Sequence, residues 1–207
     1  MLFAEAFTLW GSAVSWAEVI AFVLALAMVG FNIREQHWGW PLAIASSLLY
    51  GALFWRSRLY GDASLQVFFA VLALWGWAQW LGLPLGRRAA APNTPPHVSR
   101  LRRMGVIGTL AACLGLWLVT GLFLRRFTDT DVPWWDAFPT SASVVGQILL
   151  GRKYLENWLV WIVVNVVSVG LFAYKALWLT ALLYGLFTLL SVLGWRAWRH
   201  RLVLHHA

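Results

Sequence analysis

Charge is scarce in this chain. Asp, Glu, Lys and Arg make up only 12% of its 207 residues, against 61% hydrophobic, where soluble domains carry about 25% charge. That balance excludes an ordinary water-soluble globule. Acidic residues are fewer still, eight in all: Glu5, Glu18, Glu35, Asp62, Asp129, Asp131, Asp136 and Glu156. Each falls in a loop or near the end of an apolar stretch, and none stands at mid-span. A proton- or sodium-driven carrier needs a carboxylate in its pathway, so the pattern favours facilitated diffusion, although backbone carbonyls can also hold sodium. Cysteine is reduced to Cys113, which excludes an intramolecular disulfide. The five histidines, His37, His97, His200, His205 and His206, lie in loops or the tail without metal-site spacing. No phosphate loop, GxSxG or HExxH occurs, so no ATP-driven motor, catalytic centre or cofactor is expected.

What is there is apolar and periodic. A bilayer core needs about 20 apolar residues per helix. Seven such spans fall near 15–33, 39–56, 62–83, 104–124, 134–150, 155–174 and 177–198. The early residues lack a basic segment, so the first span reads as a retained helix. Loops are short except 84–103, a Pro-rich linker with five arginines.

A shift of 118 residues superimposes the chain on itself without a gap. Trp16 meets Trp134, Glu18 meets Asp136, Arg34 meets Arg152 and Trp40 meets Trp158. Gly76, Trp77 and Trp80 meet Gly194, Trp195 and Trp198. Internal repeats dictate architecture, and in an apolar chain they mark a transporter built of two half-bundles. The expected fold is an all-α membrane protein of seven transmembrane helices: two three-helix repeats and one linker helix, 3+1+3. The odd helix makes the repeats parallel. Boundaries follow at 1–83, 84–127 and 128–207. One side of the membrane carries five Lys and Arg, the other eleven. The richer side is cytoplasmic, which places the N-terminus outside and the C-terminus inside. The net charge of +8 therefore reflects orientation and lipid headgroups, not nucleic acid.

Polar residues within a membrane are costly and face a cavity or a partner. On the sixth span Trp158, Trp161, Asn165 and Ser168 share one helical face. Two π surfaces, an amide and a hydroxyl suit a flat heteroaromatic ligand bearing hydroxyls. The plainer alternatives are an interfacial anchor for Trp158 and an interhelical hydrogen bond for Asn165. The repeat places Trp40, Ser47 and Tyr50 on the corresponding face of the second span. Gln66 on the third, its repeat-mate Tyr184 on the seventh, and Gln147 on the fifth complete the candidate binding residues, with helix–helix contacts as the alternative for each.

Together these segments resemble the PnuC family of bacterial nicotinamide riboside transporters. The resemblance rests on Ser15-Trp16-Ala17-Glu18, Leu59-Tyr60-Gly61-Asp62-Ala63, Trp134-Trp135-Asp136-Ala137, Glu156-Asn157-Trp158 through Trp161 to Asn165, and Leu179 to Tyr184. It spans roughly residues 15–200. The WxxWxxxN pattern is similar to the family's substrate motif. The resemblance implies a fold like the SWEET sugar transporters and nicotinamide riboside as substrate. It further implies equilibration across the inner membrane, trapping by a cytoplasmic kinase, and possible assembly as a homotrimer. Trp158 and Trp161 would meet the cationic pyridinium, and Asn165 a ribose or amide group. Related Pnu proteins suit thiamine or riboflavin, so another B-type vitamin is the alternative substrate. A non-transporting membrane scaffold is the alternative from another class.

Overall fold

A computed structural model describes residues 3–9, 12–56, 60–83, 96–174 and 178–204. It contains a hairpin of β1 (Glu5–Leu9) and β2 (Ser12–Ser15), then seven helices: α1 (Trp16–Ile33), α2 (Gly39–Arg56), α3 (Tyr60–Trp80), α4 (Arg103–Phe127), α5 (Pro133–Gly151), α6 (Asn157–Tyr174) and α7 (Trp178–Leu204). Every expected span is a helix. By length and composition alone, four stretches among the described residues can cross a membrane: Trp16–Ile33, Arg103–Phe127, Asn157–Tyr174 and Thr180–Val203. The linker residues Pro84, Arg87, Arg88, Pro92 and Pro95, with Leu59, Arg58, Lys175 and Leu177, lie outside the described residues.

The chain divides into two compact units, Met1–Thr94 and Pro95–Ala207. In the first, α2 packs on both α1 and α3. Ser15 closes a capping box on α1: its backbone N–H donates to Glu18 Oε2 at 2.7 Å and its hydroxyl accepts from the Glu18 N–H at 3.3 Å. Such a cap satisfies donors that a helix start otherwise leaves open. The β1–β2 hairpin is antiparallel, pairing Phe7 with Val14 and Thr8 with Ala13. It leads directly into that cap, a pairing that the span pattern of the sequence did not include.

In the second unit α4, α5, α6 and α7 pack in sequence. The α4 helix belongs with α5 because Trp134 holds it. The Trp117 Nε1–H donates to the Trp134 carbonyl at 2.8 Å, and the two indoles meet edge to face at 5.8 Å. Gly121 lies so close to the Trp134 ring that no side chain fits there. The rest of α4 is exposed, with Met104, Ile107, Leu110, Val119 and Phe123 outward, as suits a helix surrounded by lipid. Its entry is clamped. Ser99 N–H donates to the Lys153 carbonyl at 3.0 Å, Leu155 N–H donates to the Ser99 carbonyl at 2.9 Å, and Leu101 N–H donates to Glu156 Oε2 at 3.0 Å. The strip before α4 is thereby fastened to the α5–α6 turn.

The repeat extends to individual hydrogen bonds. After α1, Glu35 N–H donates to the Asn32 carbonyl and Gln36 N–H to the Phe31 carbonyl; after α5, Lys153 N–H donates to the Leu150 carbonyl and Tyr154 N–H to the Leu149 carbonyl. These are the paired bonds of a Schellman cap. Its left-handed residue is Glu35 (φ 58°) in one turn and Lys153 (φ 54°) in the other. Glycine normally fills that position because a Cβ is unfavourable there. Both turns accept the same strain at matching positions.

Candidate functional site

The α6 helix divides as its sequence predicts. Asn157, Trp158, Val164, Asn165, Ser168 and Leu171 are buried, while Leu159, Val163 and Val166 are exposed. Trp158 is 2% exposed and packs on α7. Its ring lies over Gly194, where an added Cβ would stand 2.6 Å from Cδ2, Cε2 and Cε3. It meets Trp198 edge to face at 5.4 Å and 89°. The first unit holds the same arrangement in the repeat-mates. Trp40 covers Gly76 even more closely and meets Trp80 edge to face at 5.5 Å and 82°. In both, a buried indole fills the notch left by a glycine on the third helix of the repeat. The Nε1 atoms of Trp40 and Trp158 have no hydrogen-bond partner among the described residues.

Trp161, three residues further on, is partly exposed. It borders Gly146 of α5, where a Cβ would lie 3.2 Å from the indole. Asn165 is tied to α7: its Nδ2 donates to Ser191 Oγ at 3.2 Å, and Ser191 Oγ donates to the Phe187 carbonyl at 2.7 Å. Ser191 has one proton, given to Phe187, so it can only accept from Asn165. That fixes the amide's direction. The Asn165 nitrogen faces Ser191 and the Oδ1 remains an acceptor for something else. Ser168 is 0% exposed, and its hydroxyl has no partner among the described residues. On α7, Tyr184 stacks on Phe172 at 5.1 Å and meets Phe187 edge to face at 5.9 Å. Gln147 is half-buried on α5 beside Gly146. The arrangement offers indole surface and an amide oxygen that accepts a donor.

In the first unit Ser47 lines a groove of about 170 Å³ between α2 and α3, with Leu48, Gly51, Trp55 and Val67. Gln66 packs its Cβ toward Gly51, and Tyr50 is half-buried. The neighbour of Ser47 is the one that bonds: Ser46 donates to the Ala21 carbonyl of α1 at 3.1 Å. Sequence reasoning missed Ser191, the partner that orients Asn165, and Ser46. It had matched Gly194 and Trp198 to Gly76 and Trp80 without seeing that each pair receives an indole. Apart from Glu5 in β1, the described acids stand at helix ends or in turns, with Glu18 and Asp136 in first turns and Glu156 just before α6. Asp136 accepts from the Thr130 hydroxyl.

Two repeat-related sets of apolar helices, turning aromatic, amide and hydroxyl groups inward, define a polytopic membrane transporter. Residues 15–200 match the profile of the family described as nicotinamide mononucleotide transporter, and the chain belongs to that family. It is similar to the nicotinamide riboside transporter PnuC of Escherichia coli (strain K12), 28% identical over 215 residues that cover 91% of this chain and 87% of that protein. It is also similar to the riboflavin/roseoflavin transporter RibM of Streptomyces davaonensis, 27% identical over 196 residues covering 94% and 90%. The crystal structure of the vitamin B3 transporter PnuC superposes with a TM-score of 0.70 at 25% identity, covering 93% of this chain and 83% of that one.

Proposed function

We propose that this protein takes up nicotinamide riboside by facilitated diffusion with alternating access. The observation that carries the reading is the fixed Asn165 amide: Ser191, its own proton given to the Phe187 carbonyl, accepts from the amide nitrogen, which leaves Oδ1 as a built-in acceptor one turn from Trp161. A riboside hydroxyl or carboxamide N–H supplies the donor, and the pyridinium cation suits the tryptophan faces. Trp161, Asn165 and Ser168 on α6, Tyr184 on α7 and Gln147 on α5 are the proposed contacts in the second unit. Trp158, proposed from the sequence as a contact, supports that face through its seat on Gly194. The repeat proposes Trp40, Ser47, Tyr50 and Gln66 as the corresponding residues of the first unit.

The placement of acids at helix ends supports transport without a coupling ion. Excess Lys and Arg on one set of loops supports an inner-membrane location with the N-terminus outside and the C-terminus in the cytoplasm. A cytoplasmic kinase then traps the riboside by phosphorylation, and assembly as a homotrimer, counted by chemical cross-linking, completes the proposal. A second reading is riboflavin, because the likeness to RibM covers as much of the chain as the likeness to PnuC. Calorimetric titration of the detergent-purified protein with nicotinamide riboside, thiamine and riboflavin separates them. Binding of the riboside alone supports the proposal. Binding of riboflavin alone keeps the mechanism and replaces the substrate.

A further inference from the structure

Several hydroxyls on or beside these helices are satisfied locally. Thr109, Thr128, Thr140, Thr188 and Ser191 each donate to the carbonyl four residues back. Ser141 does not, although it follows Thr140 directly. It is 2% exposed, and its Oγ has no hydrogen-bond partner among the described residues. A buried hydroxyl in hydrocarbon without a partner is costly. Its position in the second unit is informative. Gly146 borders Trp161, which sets the level of α5 against the antiparallel α6. Moving five residues back from Gly146 reaches Ser141, and five on from Trp161 reaches Val166, about 7.5 Å along each helix at 1.5 Å per residue. Ser141 therefore stands at the depth of Asn165 and Ser168, and the Asn165–Ser191 bond brings α7 to the same level. Three consecutive helices thus carry hydroxyl or amide groups in one layer. The repeat-mates of Ser141 and Ser191 are Val23 and Ala73, so the layer is built in the second half alone.

We propose that Ser141 is a substrate-contacting residue that sets specificity for the ligand's sugar. Its hydroxyl, with that of Ser168 and the Oδ1 of Asn165, forms a set of donors and an acceptor for the vicinal hydroxyls of a ribosyl group. The assignment rests on the riboside reading of the same site. Among the described residues the hydroxyl has no partner, and the ligand supplies one.

The test joins thermal unfolding to calorimetric titration with nicotinamide riboside, on wild type, Ser141→Ala, Ser141→Cys and Thr140→Ala in detergent. Ser141→Ala is expected to leave the ligand-free protein as stable as wild type or more so. Riboside affinity is expected to fall on the order of tenfold, equivalent to about 1.4 kcal/mol. Ser141→Cys, of similar size but a poor donor, follows Ser141→Ala, and Thr140→Ala keeps wild-type affinity. If wild type binds the riboside and both Ser141 variants bind it equally well, the assignment is overturned while the substrate reading stands. A Ser141→Ala protein that melts lower at unchanged affinity shows a purely structural hydroxyl and overturns it too. A wild type that does not bind the riboside overturns the substrate reading and this assignment with it.

Discussion

Replacing Gly194 by alanine puts a methyl carbon 2.6 Å from three atoms of the Trp158 indole, well inside the 3.4 Å where ordinary contact begins. The crowded atoms, Cδ2, Cε2 and Cε3, lie along the middle of the ring system, so tilting its far edge does not relieve them. Trp158 is 2% exposed and Trp198, set against it edge to face, is 0% exposed, so neither ring has space to retreat. Overpacking of this kind costs about 1–3 kcal/mol, partly offset by the roughly 1 kcal/mol that alanine gains over glycine inside a helix. The net loss of up to about 2 kcal/mol corresponds to a fall of up to roughly 8 °C in midpoint for a chain of this length. The assay is thermal unfolding of purified protein in detergent. Gly170→Ala is the control, because nothing lies within 4 Å of its added methyl, and it is expected to be neutral or stabilising. Adding Trp158→Phe to Gly194→Ala opens the notch, so the double variant loses less than the two single losses together. A Gly194→Ala protein as stable as wild type, with Gly170→Ala indistinguishable from it, refutes the indole-in-notch account.

Further outcomes follow from the same geometry. Asn165→Ala removes the oriented acceptor and lowers nicotinamide riboside affinity by roughly tenfold or more; Ser191→Ala, which only frees the amide to turn, lowers it less, both read by calorimetry. Trp161→Ala removes a desolvated cation–π partner worth about 2 kcal/mol, while Trp161→Phe keeps part of the affinity. Ser15→Ala opens the capping box on α1 and costs about 1 kcal/mol in thermal or denaturant unfolding. Glu156→Gln weakens the charge-assisted bond from Leu101 and speeds hydrogen exchange at the Leu101 amide, leaving exchange in α7 unchanged.

Much of the architecture was readable from the chain because hydrophobic spans of bilayer length announce themselves. The predicted seventh span closed at residue 198, yet α7 runs to Leu204. Arginine is a good helix former, and the buried Trp198 anchors the last turns, so the basic tail did not stop the helix. The β1–β2 hairpin escaped because its strands are too short to register against a window tuned to membrane helices. The helical face of Trp158, Trp161, Asn165 and Ser168 was legible as a period, since 3.6 residues per turn sorts side chains without any tertiary knowledge. What occupies that face was not. The period cannot tell that Trp158 seats on a glycine 36 residues away, or that Asn165 points its nitrogen at Ser191. Ser141 was invisible for a related reason: a serine in a helix normally bonds its own backbone, and only the structure shows one that does not.

Uptake of radiolabelled nicotinamide riboside into proteoliposomes, without ATP or any ion gradient, tests the central claim most directly. The account predicts saturable entry that stops when internal and external concentrations are equal, slowed by Asn165→Ala, and driven further only when a riboside kinase and ATP are enclosed. No entry, or accumulation above the external concentration that depends on an imposed sodium or proton gradient, contradicts it.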